Sequence, residues 1–298
     1  MVPSHLEKPR KLQCMTENSA INKNVSKKRP EGMSAEEARM YDDFQIGGHE
    51  RDMPETERLA QLASFIDAHY DKPAGWEAEA ELSVATLSVV AEQAEQQFEE
   101  QRAELENYLA RLPDRITHAA MIMLGSAVDH SLPVTAFAGN VETRDDEFGR
   151  WYIPENPHGV AVAVVGGWWY AGAAREMSWE PEIAGLAGAS GRQILSVHFP
   201  LQPEATVEQA RAFVRQALES ARGDEGIVAW GKWAGADLLL DNAELVDAAL
   251  AVTFPSSDSA PATDARVLVQ DLVAQRHVAT PNTSREAIQE IAEFWNAR

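Results

Sequence analysis

Apolar positions recur three and four residues apart along one long, otherwise acidic stretch of this chain, residues 76–112. Val84, Leu87, Ala91, Ala94, Phe98, Gln101, Leu105, Tyr108 and Leu112 alternate in that way. The spacing predicts a long helix with a narrow apolar seam, the pattern of a coiled coil. Several seam residues are small or polar, so the seam by itself is weak. It is expected to pack in a helical hairpin or bundle of the same chain, with a homodimeric coiled coil as the competing arrangement. Pro113 is expected to stop the helix. Ile116, Ala120, Met123, Leu124 and Val128 share a face that would return antiparallel after so short a break. Upstream, Pro54 suits a first helical position, and Leu59, Leu62, Phe65, Ile66 and Tyr70 follow at helical spacing.

After Leu132-Pro133 the pattern changes to short apolar runs between turn residues. Residues 134–137, 160–165, 194–199, 227–230 and 252–254 read as strands, and 267–273 fits either helix or strand. Gly166-Gly167 is expected to close a hairpin onto Trp168-Trp169-Tyr170. Thr206 with Gln209 forms a capping-box pattern ahead of the stripe Ala210, Phe213, Val214, Ala217, Leu218 and Ala221, with Gly223 as the stop. Asp241 with Glu244 is expected to cap a further helix through Leu250. Thr283 with Glu286 starts a terminal helix whose Ile288, Ile291, Ala292 and Trp295 would dock on the body. The strand–helix–strand order over 194–230 reads as a βαβ-like unit, without saying whether its strands are adjacent.

These elements predict an α+β fold in three parts. Residues 1–33 form a disordered basic tail, residues 34–130 a helical region with the long acidic helix, and residues 131–298 a mixed sheet with packed helices.

Charge sharpens the division. The chain of 298 residues carries a net charge of −21, while residues 1–33 are net +4. The acidic body repels nucleic-acid phosphates and anionic lipid and favours solubility, so neither direct nucleic-acid binding nor a membrane partner is expected. Cys14 is the single cysteine. It forms no internal disulfide and cannot build a multi-cysteine zinc site, which points to a reducing, cytoplasmic compartment. No apolar run approaches the ~20 residues that span a bilayer.

The candidate chemistry is thin. Trp151, Trp168, Trp169 and Trp179 are half of the eight tryptophans. On a strand Trp168 and Trp169 would face opposite ways, one toward the core and one toward solvent or a partner. His158, His198 and His277 stand without a second ligand at metal spacing, and His118 and Asp129 lie too far apart along a helix to pair. No metal or cofactor site is expected. Ser190 in Gly188-Ala189-Ser190-Gly191 is not a G-x-S-x-G elbow, and Gly185, Gly188 and Gly191 read as turn glycines. Glu176, Glu180 and Glu182 flank the Trp block and would line any cleft there. Asp145-Asp146-Glu147 reads as a solvated loop.

Residues 195–200, Leu-Ser-Val-His-Phe-Pro, followed by a capped helix, resemble the strand–helix entry of plasmid-mobilisation relaxases over about thirty residues. That family's clustered histidines are absent after residues 227–230, where Gly231-Lys232-Trp233 stands. Phosphodiester cleavage is therefore not implied.

With heptad spacing present and catalytic constellations absent, the sequence reads first as a non-enzymatic cytosolic interaction protein, an adaptor, regulator or assembly component. Phe98 and Leu105 would carry self-association or docking, and Trp168 or Trp169 would carry partner specificity. Two alternatives remain. One is a small-molecule hydrolase with its cleft near residues 168–198, including His198. The other is an acidic mimic of nucleic acid that inhibits a basic DNA-binding protein.

Overall fold

The computed structural model describes residues 55–73, 95–124, 141–202, 204–223, 226–253, 263–270 and 281–297, all within the compact unit Asp52–Arg298. The basic tail, the first part of the acidic helix, the strand expected at 134–137, and Asp129 and His277 lie outside the described residues.

A seven-stranded mixed sheet is the organising element. Its strands are β1 (Val141–Asp146), β2 (Gly149–Pro154), β3 (Val160–Gly166), β4 (Gln193–Val197), β5 (Ile227–Trp233), β6 (Ala249–Thr253) and β7 (Arg266–Gln270). They lie in the order β1-β2-β4-β3-β5-β6-β7. β1 and β2 pair antiparallel, β2 pairs antiparallel with β4, and β4, β3, β5, β6 and β7 run parallel. β3 and β5 are almost wholly buried, and they contain the apolar runs 160–165 and 227–230 that read as strands. The edge strand β1, Val-Glu-Thr-Arg-Asp-Asp, is charged and exposed, which blunts edge-to-edge pairing.

The strand order has a functional consequence. From β3 the chain steps outward to β4, then crosses back to β5 on the other side of β3, and continues to β6. The order therefore reverses between β3 and β5. In open parallel sheets such a reversal leaves a crevice at the carboxyl ends of the strands. Gly166, the last residue of β3, is paired with Trp233, the last residue of β5, at that point.

Helices cover the sheet. The crossover from β3 to β4 contains α3 (Gly172–Ala174), a π-helical turn (Arg175–Trp179) and α4 (Glu180–Ser190). α5 (Val207–Ala221) joins β4 to β5, α6 (Ala234–Leu240) follows β5, and α7 (Pro281–Asn296) closes the chain. α4 packs on α7 and α5 on α6. The Thr206 cap forms as expected: its hydroxyl accepts from Gln209 N while the Gln209 side chain accepts from Thr206 N. Ile288, Ile291, Ala292 and Trp295 are buried under α7.

The remaining helices are α1 (Glu55–His69) and α2 (Glu95–Leu124). Pro113 lies inside α2 and does not stop it. A proline removes one intrahelical hydrogen bond and crowds the preceding turn. Here Leu105, Tyr108, Leu109, Leu112, Ile116, Ala119 and Ala120 form one buried face on both sides of Pro113, and that packing keeps the helix continuous. The expected antiparallel return is replaced by this single rod.

α2 packs on α1, α3 and the π turn, and its buried residues belong to the same apolar cluster as the sheet. The coiled-coil reading is thus corrected. Leu105, a seam residue, is fully buried in its own chain. Phe98 lies in the first turn of α2, with its side chain outside the described residues.

Two further expectations change. Gly166-Gly167 does not close a hairpin: β3 leads into a loop and then α3. Asp241 does not begin a helix, but ends α6 as its C-cap. Among the described residues no helix is long and apolar enough to cross a membrane.

Candidate active site

The carboxyl ends of β3, β4 and β5 carry the distinctive chemistry of this chain, and Trp233 stands at its centre. Its backbone has φ 57° and ψ −128°, a left-sided conformation that costs a bulky residue energy and persists only where the surroundings enforce it. Trp233 ends β5, and α6 starts at the next residue, so strand, sharp turn and helix follow without a spacer.

Both flanking glycines are structurally required. A Cβ on Gly231 would lie 2.6 Å from Ala236 Cα, and one on Gly235 would overlap the Val164 carbonyl oxygen. Gly231-Lys232-Trp233-Ala234-Gly235 therefore has the glycine spacing and the strand–turn–helix course of the G-x-S-x-G elbow, with an indole where that motif has its serine. Sequence reasoning missed the elbow because it searched for a serine. The legible signal was the pair of glycines two residues either side of position 233, between an apolar strand and Ala-Asp-Leu-Leu-Leu.

A row of aromatic rings leads away from Trp233. The Trp179 ring centroid is 5.6 Å away at a tilt of 56°, Tyr170 lies 5.8 Å from Trp179, and Trp169 meets Tyr170 edge-on at 5.9 Å. Trp168 and Trp169 are both buried, so neither offers the solvent-facing ring expected of a docking site. Lys232 Nζ lies 4.7 Å from the Trp233 ring and donates to Glu182 Oε2 at 2.7 Å. Both side chains of this pair are nearly buried, so each satisfies the other's charge.

Two residues earlier, Glu180 is the hub of a second cluster. Arg150 Nη1 donates to Glu180 Oε2 at 3.1 Å, and His198 Nε2 lies 3.5 Å from Glu180 Oε1. Burial pushes the Glu180 carboxyl up. His198, Arg150 and the Tyr152 hydroxyl outweigh it and hold the group below the ordinary carboxylate value. The Tyr152 phenol is pushed far up, first by burial and then by the Glu180 charge. His198 follows the last residue of β4, so the imidazole sits at the carboxyl edge of the parallel strands, its backbone N–H donating to Phe148 O.

The π turn places these groups. It inserts a residue into the helical register just before α4, as such turns do at functional sites. Trp179, Glu180 and Glu182 then reach Trp233, His198 and Lys232 respectively. Of the three glutamates expected to line a cleft, Glu180 and Glu182 do hold partners here. Glu176 lies near Arg175, whose own pKa is lowered chiefly by burial. Ser190 is not part of the site: its hydroxyl is buried and donates to Leu186 O at 2.7 Å. Gly185 and Gly188 lie within α4, and Gly191 is its left-handed C-cap with φ 70°. Among the described residues no group of three or more His, Cys, Asp or Glu is arranged to hold a metal ion.

No family model matches the sequence, and no curated protein matches it. Solved structures to which this chain has some likeness include an arylesterase, at 16% identity and TM-score 0.41 over 70% of this chain and 61% of that one. An esterase of Pyrobaculum calidifontis matches at 19% identity and TM-score 0.37, over 59% of this chain and 54% of that one. A hormone-sensitive lipase from a metagenome library matches at 13% identity and TM-score 0.40, over 72% and 97%. The chain thus spans less than two thirds of the length of the arylesterase and of the Pyrobaculum calidifontis esterase.

The interaction-protein reading is corrected here. The seam residue Leu105 and the Trp168-Trp169 pair, on which that reading relied, are buried in this chain's own core and present no surface to a partner.

Proposed function

We propose that this chain has an α/β-hydrolase architecture and acts on a small molecule with a hydrolysable carbonyl bond. The reaction uses water activated at His198 in place of acyl transfer from the elbow. The observation that carries this reading is the Glu180–His198 pair at the carboxyl edge of β4, beside an elbow with no nucleophile.

With the proton on His198 Nε2, 3.5 Å from Glu180 Oε1, the acceptor of the ring is Nδ1. Nδ1 takes a proton from water as its oxygen adds to the substrate carbonyl. The same proton is returned to the leaving oxygen as the bond to it breaks, giving an acid and an alcohol. Glu180 keeps the imidazole oriented and stabilises its transient positive charge, and Arg150 fixes Glu180.

The test is turnover of p-nitrophenyl acetate and butyrate. Steady release without an initial burst is expected, because no acyl-enzyme forms. A fluorophosphonate probe should leave the elbow unlabelled. His198→Ala should lower kcat/KM by about a hundredfold or more. A burst, or full activity in His198→Ala, would overturn the mechanism.

A second reading is favoured by the aromatic packing at the elbow. Trp233, Trp179, Tyr170 and Trp169 form a connected row of rings, and a small apolar ligand admitted against Trp233 would be held there without turnover. Quenching of tryptophan fluorescence by short-chain esters, with no hydrolysis by the parent chain or by His198→Ala, would establish it instead.

A further inference from the structure

The long helix reaches the site through one side chain. Glu106, in the middle of α2, accepts a hydrogen bond at Oε1 from Ala171 N at 3.1 Å. Ala171 closes the segment after β3 that carries Trp168, Trp169 and Tyr170. The next residue, Gly172, has φ 32°, and a Cβ there would overlap the Glu106 carboxylate, lying 2.7 Å from its Cδ. The backbone has thus been shaped to admit that carboxylate.

Glu106 does not act alone. Arg102, one turn earlier on α2, donates from Nε to Glu106 Oε1 at 3.3 Å and from Nη1 to Glu204 Oε1 at 2.9 Å. Glu204 belongs to the segment after β4, a few residues beyond His198. The two segments are also joined directly, since Gln202 N donates to Trp168 O at 3.0 Å. Ala171, Glu106, Arg102 and Glu204 therefore form a bridge from the β3 loop to the β4 loop by way of α2.

We propose that Glu106 is a positioning residue that clamps the β3 loop to α2 and, with Arg102, sets its spacing from the β4 loop that carries His198. Its role in turnover rests on the water-activation reading; the clamp itself is independent of any substrate. The seam of α2 then has a purpose within one chain: it holds the rod rigidly enough for Glu106 to fix a loop.

Hydrogen exchange on the full-length chain tests it, comparing the parent with Glu106→Ala and Glu106→Gln. Losing a hydrogen bond to a charged group should speed amide exchange over residues 167–172 about tenfold in Glu106→Ala, with β3 itself unchanged. Glu106→Gln keeps an oxygen for the Ala171 N–H and loses the charge that Arg102 needs. It should restore protection at 167–172 while leaving residues 199–204 faster than in the parent. In the hydrolysis assay Glu106→Ala should lower kcat/KM about tenfold, with Glu106→Gln recovering most of it.

Parent-like exchange at 167–172 in Glu106→Ala would overturn the proposal. If that variant does not fold, parent-like exchange at 199–204 in Glu106→Gln would overturn it. Absence of hydrolysis by the parent chain overturns the water-activation reading alone, because the exchange result needs no substrate.

Discussion

Gly235 and Val164 touch backbone to backbone: a Cβ on the glycine would overlap the valine's carbonyl oxygen. The first turn of α6 is thereby wedged against β3, and the elbow at Trp233 has no room to relax. This close approach explains how a tryptophan is held at φ 57°.

Gly235→Ala should therefore cost about 3 kcal/mol, since either β3 or α6 must shift to admit a methyl group. Gly223→Ala is the internal control, because nothing lies within 4 Å of its added Cβ. Its effect should stay within about 0.5 kcal/mol. Denaturant midpoints with unchanged slopes would establish both values, and equal midpoints for the two variants would refute the wedge.

Lys232 and Glu182 should behave as one unit. Leaving either charge buried without the other costs about 3 kcal/mol, whereas exchanging both for apolar groups of similar size is close to neutral. Lys232→Met and Glu182→Leu should each destabilise the chain strongly, and the double variant should recover most of the loss. A double-mutant cycle on unfolding free energies measures the coupling. Additive single effects would mean that the 2.7 Å contact contributes nothing specific.

The clearest part of the sequence makes the simplest prediction. Thr206 and Gln209 satisfy each other's backbone N–H groups at the start of α5. Thr206→Ala should lower stability by about 1 kcal/mol, and Thr206→Ser should lose far less. Thermal or denaturant unfolding of the two variants is sufficient.

Local signals of that kind were readable because they depend on residues a few positions apart. The Thr206 cap, the buried runs that became β3 and β5, and the α7 stripe all belong to this class. Pro113 misled because the side chains that hold α2 straight come from elements distant in sequence, α1 and the loop after β3. The Trp168-Trp169 pair misled for a related reason. Two glycines followed by aromatics fit a hairpin locally, but β3 is paired on both sides by parallel strands, so its chain must leave the sheet. The candidate site was half legible. Glu180, Glu182 and His198 were visible as chemistry, but their partners are set by a π turn and by strand order, which no short spacing encodes.

Glu180 gives the last prediction, and its sign follows from the direction of its pKa. The folded-state carboxyl lies below its ordinary value, with burial opposing and His198, Arg150 and Tyr152 prevailing. A depressed carboxylate stabilises the fold above its unfolded pKa of about 4.3, and the stabilisation is lost as pH falls through the lower folded value. Glu180→Gln removes the charge at every pH. It should cost about 2 kcal/mol at pH 7, a value below that of a fully buried pair because the Arg150 side chain is 36% exposed. As pH falls from about 4.3 through the lower folded value, the parent's stability should converge on that of the variant. Unfolding curves collected for both chains between pH 7 and pH 3 decide the matter. A stability difference that stays constant over that range would show that Glu180 contributes by packing and not by charge, and would remove the electrostatic support assigned to His198.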